Sequence, residues 1–300
     1  MIEFHPFRLQ DKAVYEQYLF ADSEHGCECS FANRYLWGQQ EVAMLHGHMV
    51  LRSRFDCRSV YPYPLGSGDK RNVLDAIIAD ADERGKELRI TGLDQAATQV
   101  LEHYYPGKFR FHSDRDSFDY VYDINDLADL KGKRYQRKRN HYNRFRVLYP
   151  DCAAQPISQE NLPAVKQMVA EWFEAKQQEN PDIDYHFEQT ALNKALSSYQ
   201  ELGLEGLVLM NGTDVLAVTL GSRMAEDTFD VHFEKARADA EGAYTAINCE
   251  FARYIRDKCP QVRFLNREED MGLAGLRKAK ESYLPHHMVE KYWASLSKNA

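Results

Sequence analysis

Asn211-Gly212 stands between two runs rich in β-formers, LEGLVLM and TDVLAVTLGSRM. Both residues tolerate positive φ, which a tight antiparallel turn requires, so the segment predicts a β-hairpin. TFDVHFEKA follows as a third strand, whose alternation points Phe229, Val231 and Phe233 one way and His232 and Glu234 the other. Upstream, Ser158 is placed to cap a helix starting near Gln159, with Pro163 tolerated in its first turn. Leu162, Val165, Val169, Trp172 and Phe173 then fall on one helical stripe. A second helix is expected over Glu188 to Gln200, with Ala191, Leu192, Ala195, Leu196 and Tyr199 facing inward. Downstream come a helix carrying Ile247, Phe251, Tyr254 and Ile255, a short strand VRFLN, a helix GLAGLRKAKES and a closing strand HHMVEKYWA.

The first half runs in a similar order. Helices near Lys12 to Leu19 and Ser30 to Leu36 precede EVAMLHGHMVLRSRF, a hairpin turning at His46-Gly47. RSVYPYPLG reads as strand and loop, NVLDAIIADADERG as a helix stopped by Gly85, ELRITGL as a strand, TQVLEHYYP as a helix and DSFDYVYDI as a strand. Each half therefore runs helices, hairpin, strand, helix, strand, helix, strand, which suggests two copies of one α/β (α+β) unit. The expected division is an N-terminal domain over 1–130, a basic helical connector or interface segment over 131–146 and a C-terminal domain over 147–300.

A chain of 300 residues with 44% hydrophobic content can bury a large core, in one domain or two. A net charge of -8 disfavours indiscriminate nucleic-acid binding and leaves room for a localised site. No apolar run is long enough to span a bilayer, and MIEFHPFRLQDK lacks the apolar stretch of a signal peptide, so a cytoplasmic protein is expected, with any membrane contact peripheral. His25, Cys27 and Cys29 in HGCECS offer a weak soft-metal pattern; ordinary thiols are the plainer reading, and no metal site is assigned. His46, His48, His286 and His287 read as hairpin and surface residues.

Lys131–Arg146, KGKRYQRKRNHYNRFR, holds eight Lys/Arg and no acid in sixteen positions. Such a sign reversal inside an acidic chain points either to a phosphate-bearing partner or to a solvated, salt-bridged helix. As a helix it sets Lys131, Tyr135, Lys138 and Tyr142 along one face and Arg134, Arg137, His141 and Arg144 along another. The aromatics suit stacking on a base or covering acyl carbon, and equally suit a packed stripe that leaves the cations in water.

The segment from Ala236 to Tyr244 puts Gly242 and Ala243 at a helix start after a strand, where exposed N–H groups and the helix dipole receive anions such as a pyrophosphate. Arg237 adds a charge nearby. Gly242 simply opening the helix is the competing reading. Asn266-Arg267-Glu268-Glu269-Asp270 follows a strand, a place where α/β folds put polar chemistry. There Glu268, Glu269 or Asp270 would deprotonate an amine or alcohol and Arg267 would orient a carboxylate or phosphate; a cap with first-turn acids is the structural alternative. Lys278, Lys280 and Tyr283 lie close behind, and a tyrosine hydroxyl can return a proton to a leaving group. His232 and Glu234 are rival bases. There is no P-loop and no G-x-G-x-x-G. There is also no G-x-S-x-G elbow and no local Cys-His arrangement, so a covalent acyl-enzyme is disfavoured and direct transfer is compatible with the residues present.

KRYQRKRNHYNRF, VHFEKARADAEGAYTAIN, FLNREEDMGLAGLRKAKESYLP and HMVEKYW together resemble the C-terminal domain of phosphatidylglycerol lysyltransferases and its stand-alone bacterial homologues. The resemblance covers nearly the whole chain and is strongest from Tyr120 onward. It implies two tandem GCN5-related N-acetyltransferase (GNAT)-like domains, each a mixed, largely antiparallel sheet flanked by helices, with the second one catalytic. It implies an acyl- or aminoacyltransferase acting on an amine or hydroxyl of a lipid headgroup, peptide or small molecule, with aminoacyl-tRNA as donor. A coenzyme A-dependent N-acetyltransferase and a non-enzymatic RNA- or phospholipid-binding module are the alternatives. By the same resemblance Lys138, Arg139, Asn140 and His141 would meet a tRNA acceptor end or lipid phosphate, and the segment Lys131–Arg146 would bind tRNA or anionic phospholipid at the inner membrane face. Arg237, Gly242, Ala243 and Tyr244 fall where an acyl-CoA pyrophosphate would lie. Tyr283 corresponds to the late tyrosine that protonates a leaving group. ARADAEGAY departs from the Arg/Gln-x-x-Gly-x-Gly/Ala pattern, with four residues between Arg237 and Gly242.

Overall fold

The structure is a computed structural model that describes residues 1–20, 26–54 and 58–296. The chain forms two compact units, each assembled from separated stretches of sequence: Met1–Asp119 with Glu269–Arg277 and the chain from Met288 onward, and Tyr120–Glu268 with Lys278–His287. Residues 131–146, expected as a connector or interface segment, fall within the second unit's Tyr120–Glu268 stretch.

In chain order the first unit begins with β1 (His5–Pro6), α1 (Lys12–Phe20), α2 (Phe31–Leu36), β2 (Gln40–Leu45), β3 (His48–Arg54), β4 (Arg58–Pro62), α3 (Arg71–Glu83), β5 (Glu87–Leu93), α4 (Gln95–Tyr104) and β6 (Phe109–Ser113). Then follow β7 (Asp119–Asp123), α5 (Ile124–Asp129), α6 (Gln136–Leu148), β8 (Ala153–Pro156), α7 (Leu162–Glu179), α8 (His186–Ser197), β9 (Glu205–Asn211), β10 (Asp214–Arg223), β11 (Thr228–Ala236), α9 (Ala243–Lys258), β12 (Phe264–Asn266), α10 (Ala274–Glu281), β13 (His287–Val289) and β14 (Tyr292–Leu296). The helix starting near Gln159 opens three residues later than expected: Asn161 is its N-cap, and the Ser158 N–H donates to Asn161 Oδ1. Strands β6 and β8 were not expected from the sequence. β8 is exposed at all four positions and carries no hydrophobic alternation to betray it.

One seven-stranded sheet has the order β1-β2-β3-β4-β5-β14-β6, the other β13-β7-β12-β11-β10-β9-β8. Each is mixed and mostly antiparallel, with one parallel pair, β4 with β5 and β11 with β12, among the described pairings. The doubled element order therefore holds, with one difference. HHMVEKYWA, expected to close the second half, splits into two strands, and its second, β14, inserts between β5 and β6 of the first sheet. DSFDYVYDI, expected to close the first half, pairs instead with β12 in the second sheet. Alternation shows that a segment is a strand and which side chains share a face; it does not say which neighbour supplies the hydrogen bonds.

The first unit closes on a core of α3, α4 and sheet residues, including Val50, Tyr61, Leu74, Ile77, Ile90 and Leu101, all fully buried, with Ala294 of β14 among them. Just before β14 sits Lys291, whose side chain is 10% exposed. Its ammonium lies 2.7 Å from Asp119, 2.6 Å from Glu269 and 3.2 Å from Glu28. The Cys27 N–H also donates to Asp119, at 2.6 Å. One cation thus ties four distant stretches of chain. Burial opposes its charge and the surrounding acids more than compensate, holding its pKa well above the usual lysine value. Removing one partner of such a buried set strands the others. Lys291→Met is expected to lose about 3–5 kcal/mol in urea unfolding, and a change below ~1 kcal/mol would show that the acids find another partner.

Candidate active site

In the second unit a bulge sets the geometry of the central strands. Leu220 of β10 faces Phe233 and Gly221 faces Val231, so His232 is the extra residue on β11. A Cβ on Gly221 would lie 2.0 Å from the Asp230 carbonyl oxygen, so only glycine allows this approach. The bulge breaks the alternation expected across β11. His232 and Glu234, assigned to one face, enter separate clusters: His232 joins Ser222, Asp230 and Glu268, and Glu234 joins Arg267 and Asn248.

The Glu234 cluster draws on several elements. Arg267, just after β12, donates Nη2 to Glu234 Oε1 at 2.9 Å, with both side chains 12% exposed. Asn248 of α9 donates Nδ2 to Glu234 Oε2 at 3.3 Å. The Tyr283 ring lies 5.0 Å from the Arg267 guanidinium and 3.6 Å beneath the Lys138 ammonium of α6. The Tyr283 hydroxyl donates to Thr245 Oγ1 at 3.4 Å, and burial pushes its pKa up, so it stays protonated through neutral pH. Lys138 moves the other way. Its partial burial, then repulsion from Arg267, lower its pKa to about 8. Burial works against the Arg267 charge as well, and Glu234 more than offsets it.

Three buried polar atoms around this carboxylate have no hydrogen-bond partner: Arg267 Nη1, Asn248 Oδ1 and Thr219 Oγ1. Thr219 is the residue paired directly across from Glu234 in the sheet. Buried polar atoms in folded proteins are nearly always paired. A donor and two hydroxyl or carbonyl oxygens gathered at one carboxylate make a place suited to polar ligand atoms.

The comparisons with known proteins agree with this architecture. A family model described as phosphatidylglycerol lysyltransferase, C-terminal, matches residues 22–295. The chain belongs to that family. A structure of a conserved protein of unknown function from Bacteroides thetaiotaomicron shares 36% identity and a TM-score of 0.93, covering 99% of this chain and 100% of that one. L-PGS from Bacillus licheniformis superposes at 17% identity and TM-score 0.70 over 97% of this chain and 93% of its own. A tandem GNAT protein from the clavulanic acid biosynthesis pathway matches at 9% identity and TM-score 0.52 over the whole of both chains. Both show the fold: two GNAT-like units in tandem. An uncharacterized protein of Mycoplasmoides gallisepticum is 23% identical over 177 residues, 59% of this chain, which span only 55% of that protein's length.

Within this lysyltransferase-family fold, the other expected site residues go elsewhere. The three consecutive acids separate. Glu268 faces His232 at 3.4 Å, Glu269 binds Lys291 in the first unit, and Asp270, fully buried there, accepts from Arg277 at 2.8 Å. Asp270 Oδ1 also accepts from the Gly272 N–H, a contact within the turn four residues ahead of α10. Arg237 forks onto Asp239 at 3.1 and 3.2 Å. Gly242 is the N-cap of α9 at φ 83°, and a Cβ there would lie 2.6 Å from the His141 carbonyl oxygen. That glycine is therefore required by the helix start and by the close passage of α6. Ala243 is buried and Tyr244 is 43% exposed. Among the soft-metal pattern, His25 lies outside the described residues. Cys29 is a buried thiol beside Arg34, pushed up to about 12 chiefly by burial, and Cys27 Sγ lies 3.6 Å from Lys291.

The basic segment is largely engaged by its own fold. Lys131 pairs with Asp129, Arg134 with Asp126 and Arg144 with Glu241. Arg139 donates to the carbonyls of Leu130 and Gly132, and Arg146 to that of Cys152. Tyr135 and Phe145 are fully buried, so the aromatics form the packed stripe. Asn140, His141, Lys133 and Arg137 are exposed. Sequence reasoning missed Asn248, Thr245 and Thr219: small polar residues at buried positions carry no signal beyond their spacing.

The Lys138 pKa has a definite expectation. Titration of the 13C-methylated lysines by NMR is expected to find one ε-amine with a midpoint near 8. Arg267→Gln removes a repulsive charge and releases Glu234, so the midpoint rises; Glu234→Gln lowers it. Because burial lowers this folded-state pKa below the unfolded one, stability contributed at this position rises as pH climbs from about 8 to roughly 10.4, the unfolded lysine value.

Proposed function

We propose that the chain is an acyltransferase of the lysyltransferase type, with its active site at Lys138, Glu234, Arg267 and Tyr283 of the second unit. The carrying observation is the set of unpaired buried polar atoms around Glu234, beside a phenol held neutral and an amine whose pKa lies near physiological pH. An activated acyl ester, with aminoacyl-tRNA as the donor of choice, brings a carbonyl oxygen to Arg267 Nη1, and Glu234 holds that guanidinium in place. The lone pair of an acceptor amine or hydroxyl forms the new bond to the carbonyl carbon, and neutral Lys138 takes the proton released. The ester C–O bond breaks as the departing ribose oxygen receives the Tyr283 proton. No covalent enzyme intermediate is required.

Two features favour an aminoacyl ester over acyl-CoA. Arg237 is held by Asp239, and α6 closes against Gly242, the position where a coenzyme A pyrophosphate would have to approach the backbone. On this reading Lys133, Arg137 and His141, exposed on the basic segment, steer an anionic donor or a lipid headgroup, and membrane contact is peripheral. Among the described residues no helix is long and apolar enough to cross a membrane.

The test is transfer of radiolabelled aminoacyl groups from charged tRNA, run beside a panel of acyl-CoA donors, with mass spectrometry of ligands retained by the purified protein. Tyr283→Phe and Lys138→Met are expected to lower turnover by about 10²–10⁴ while donor binding persists. Transfer from acyl-CoA alone would replace the donor. Salt-sensitive RNA or lipid binding with no turnover, unaffected by Glu234→Gln, would make this a binding module.

A further inference from the structure

We infer that Asp230, His232 and Glu268 form a binding site for a divalent first-row transition ion such as zinc, separate from the Glu234 cluster. The site is built from β11 and the turn after β12. His232 Nδ1 lies 3.3 Å from Asp230 Oδ2 and 3.4 Å from Glu268 Oε1. Three ligand atoms bound to one ion at about 2.0–2.1 Å with tetrahedral angles stand roughly 3.3–3.5 Å apart. The spacings to the imidazole nitrogen already have that value. One nitrogen and two carboxylate oxygens are also a donor set that zinc and its neighbours accept.

The far side of the ring supplies an independent argument. His232 Nε2 lies 2.8 Å from Ser222 Oγ, and both residues are buried. A proton on Nε2, donated to that hydroxyl, leaves a lone pair on Nδ1 facing two carboxylates. Metal-ligating histidines are held in this way, by a hydrogen bond at the nitrogen that does not bind the ion. The Asp230 and His232 side chains are fully buried and Glu268 is 22% exposed, so the Glu268 side gives an entry path and the fourth position. The first unit offers an instructive contrast. Cys27, Asp119 and Glu269 also offer ligand atoms within 4.8 Å of one another, and there the Lys291 ammonium supplies the positive charge itself.

The alternative is that His232 is an imidazolium paired with both acids, and the experiment separates the two. The full chain, freed of metal by a chelator, is titrated with zinc chloride by calorimetry while 15N-histidine NMR follows the ring nitrogens. One equivalent is expected, with the His232 Nδ1 resonance moving on addition and Nε2 remaining protonated. His232→Gln should weaken binding at least 100-fold and Ser222→Ala roughly 10–100-fold. Both Nδ1 and Nε2 staying protonated in excess zinc would overturn the proposal, and that readout needs no variant. Unchanged affinity in His232→Gln would overturn it too, as would a cobalt adduct showing thiolate charge transfer, which would put the ion at a cysteine. None of these readouts depends on acyl transfer.

Discussion

The first unit depends on a single buried ammonium. Lys291 arrives after almost the entire chain, and its charge meets Glu28, Asp119 and Glu269, which come from three other stretches. Desolvating four ionised groups together is tolerable only when the pairing is complete. The next residues form β14, which fills the gap between β5 and β6. Without it both of those strands would present unpaired N–H and C=O groups at an edge. Sheet closure and charge neutralisation are thus supplied by one short segment, Lys291 and β14.

This discontinuity explains what the sequence made visible and what it hid. Local punctuation was legible. Gly212 turns the hairpin of β9 and β10 at φ 63°, and His46-Gly47 turns that of β2 and β3 with both φ values positive. Helical stripes were legible as well: Val165, Val169 and Phe173 are buried, as are Ile247, Phe251 and Ile255. Partner choice was not, because a strand of five residues such as β14 pairs with whichever neighbours the rest of the chain leaves open.

The site was legible as a residue set and not as a geometry. Glu234, Arg267 and Tyr283, separate candidates in the sequence, come together in one cluster. Lys138 was expected with Arg139, Asn140 and His141 at a tRNA or lipid phosphate, and it lies over the Tyr283 ring. The opposite error attended the acids. Glu268, Glu269 and Asp270 are consecutive, which made them look like one pool of bases, and consecutive residues in an extended turn point apart. His232 and Glu234 looked coplanar by parity, and one bulge, licensed by Gly221, separated them. A single inserted residue reverses every inference that rests on alternation beyond it.

Charge in the sequence is likewise a poor guide to charge on the surface. Of the eight cations in Lys131–Arg146, three meet acids, two meet backbone carbonyls and one lies over Tyr283; Lys133 and Arg137 are the two outside those contacts, and both are exposed. A solvated salt-bridged helix and a phosphate-binding helix are therefore not exclusive descriptions of α6. Most of its charge fixes the loop before it and the neighbouring helix, and that fixed position is what holds Lys138 beside Arg267 against their mutual repulsion. Two like charges near one aromatic ring persist only where surrounding contacts hold them, and here Glu234 balances Arg267 while burial favours the neutral amine. The lowered pKa of Lys138 thus has a local origin, in its burial and its nearness to Arg267.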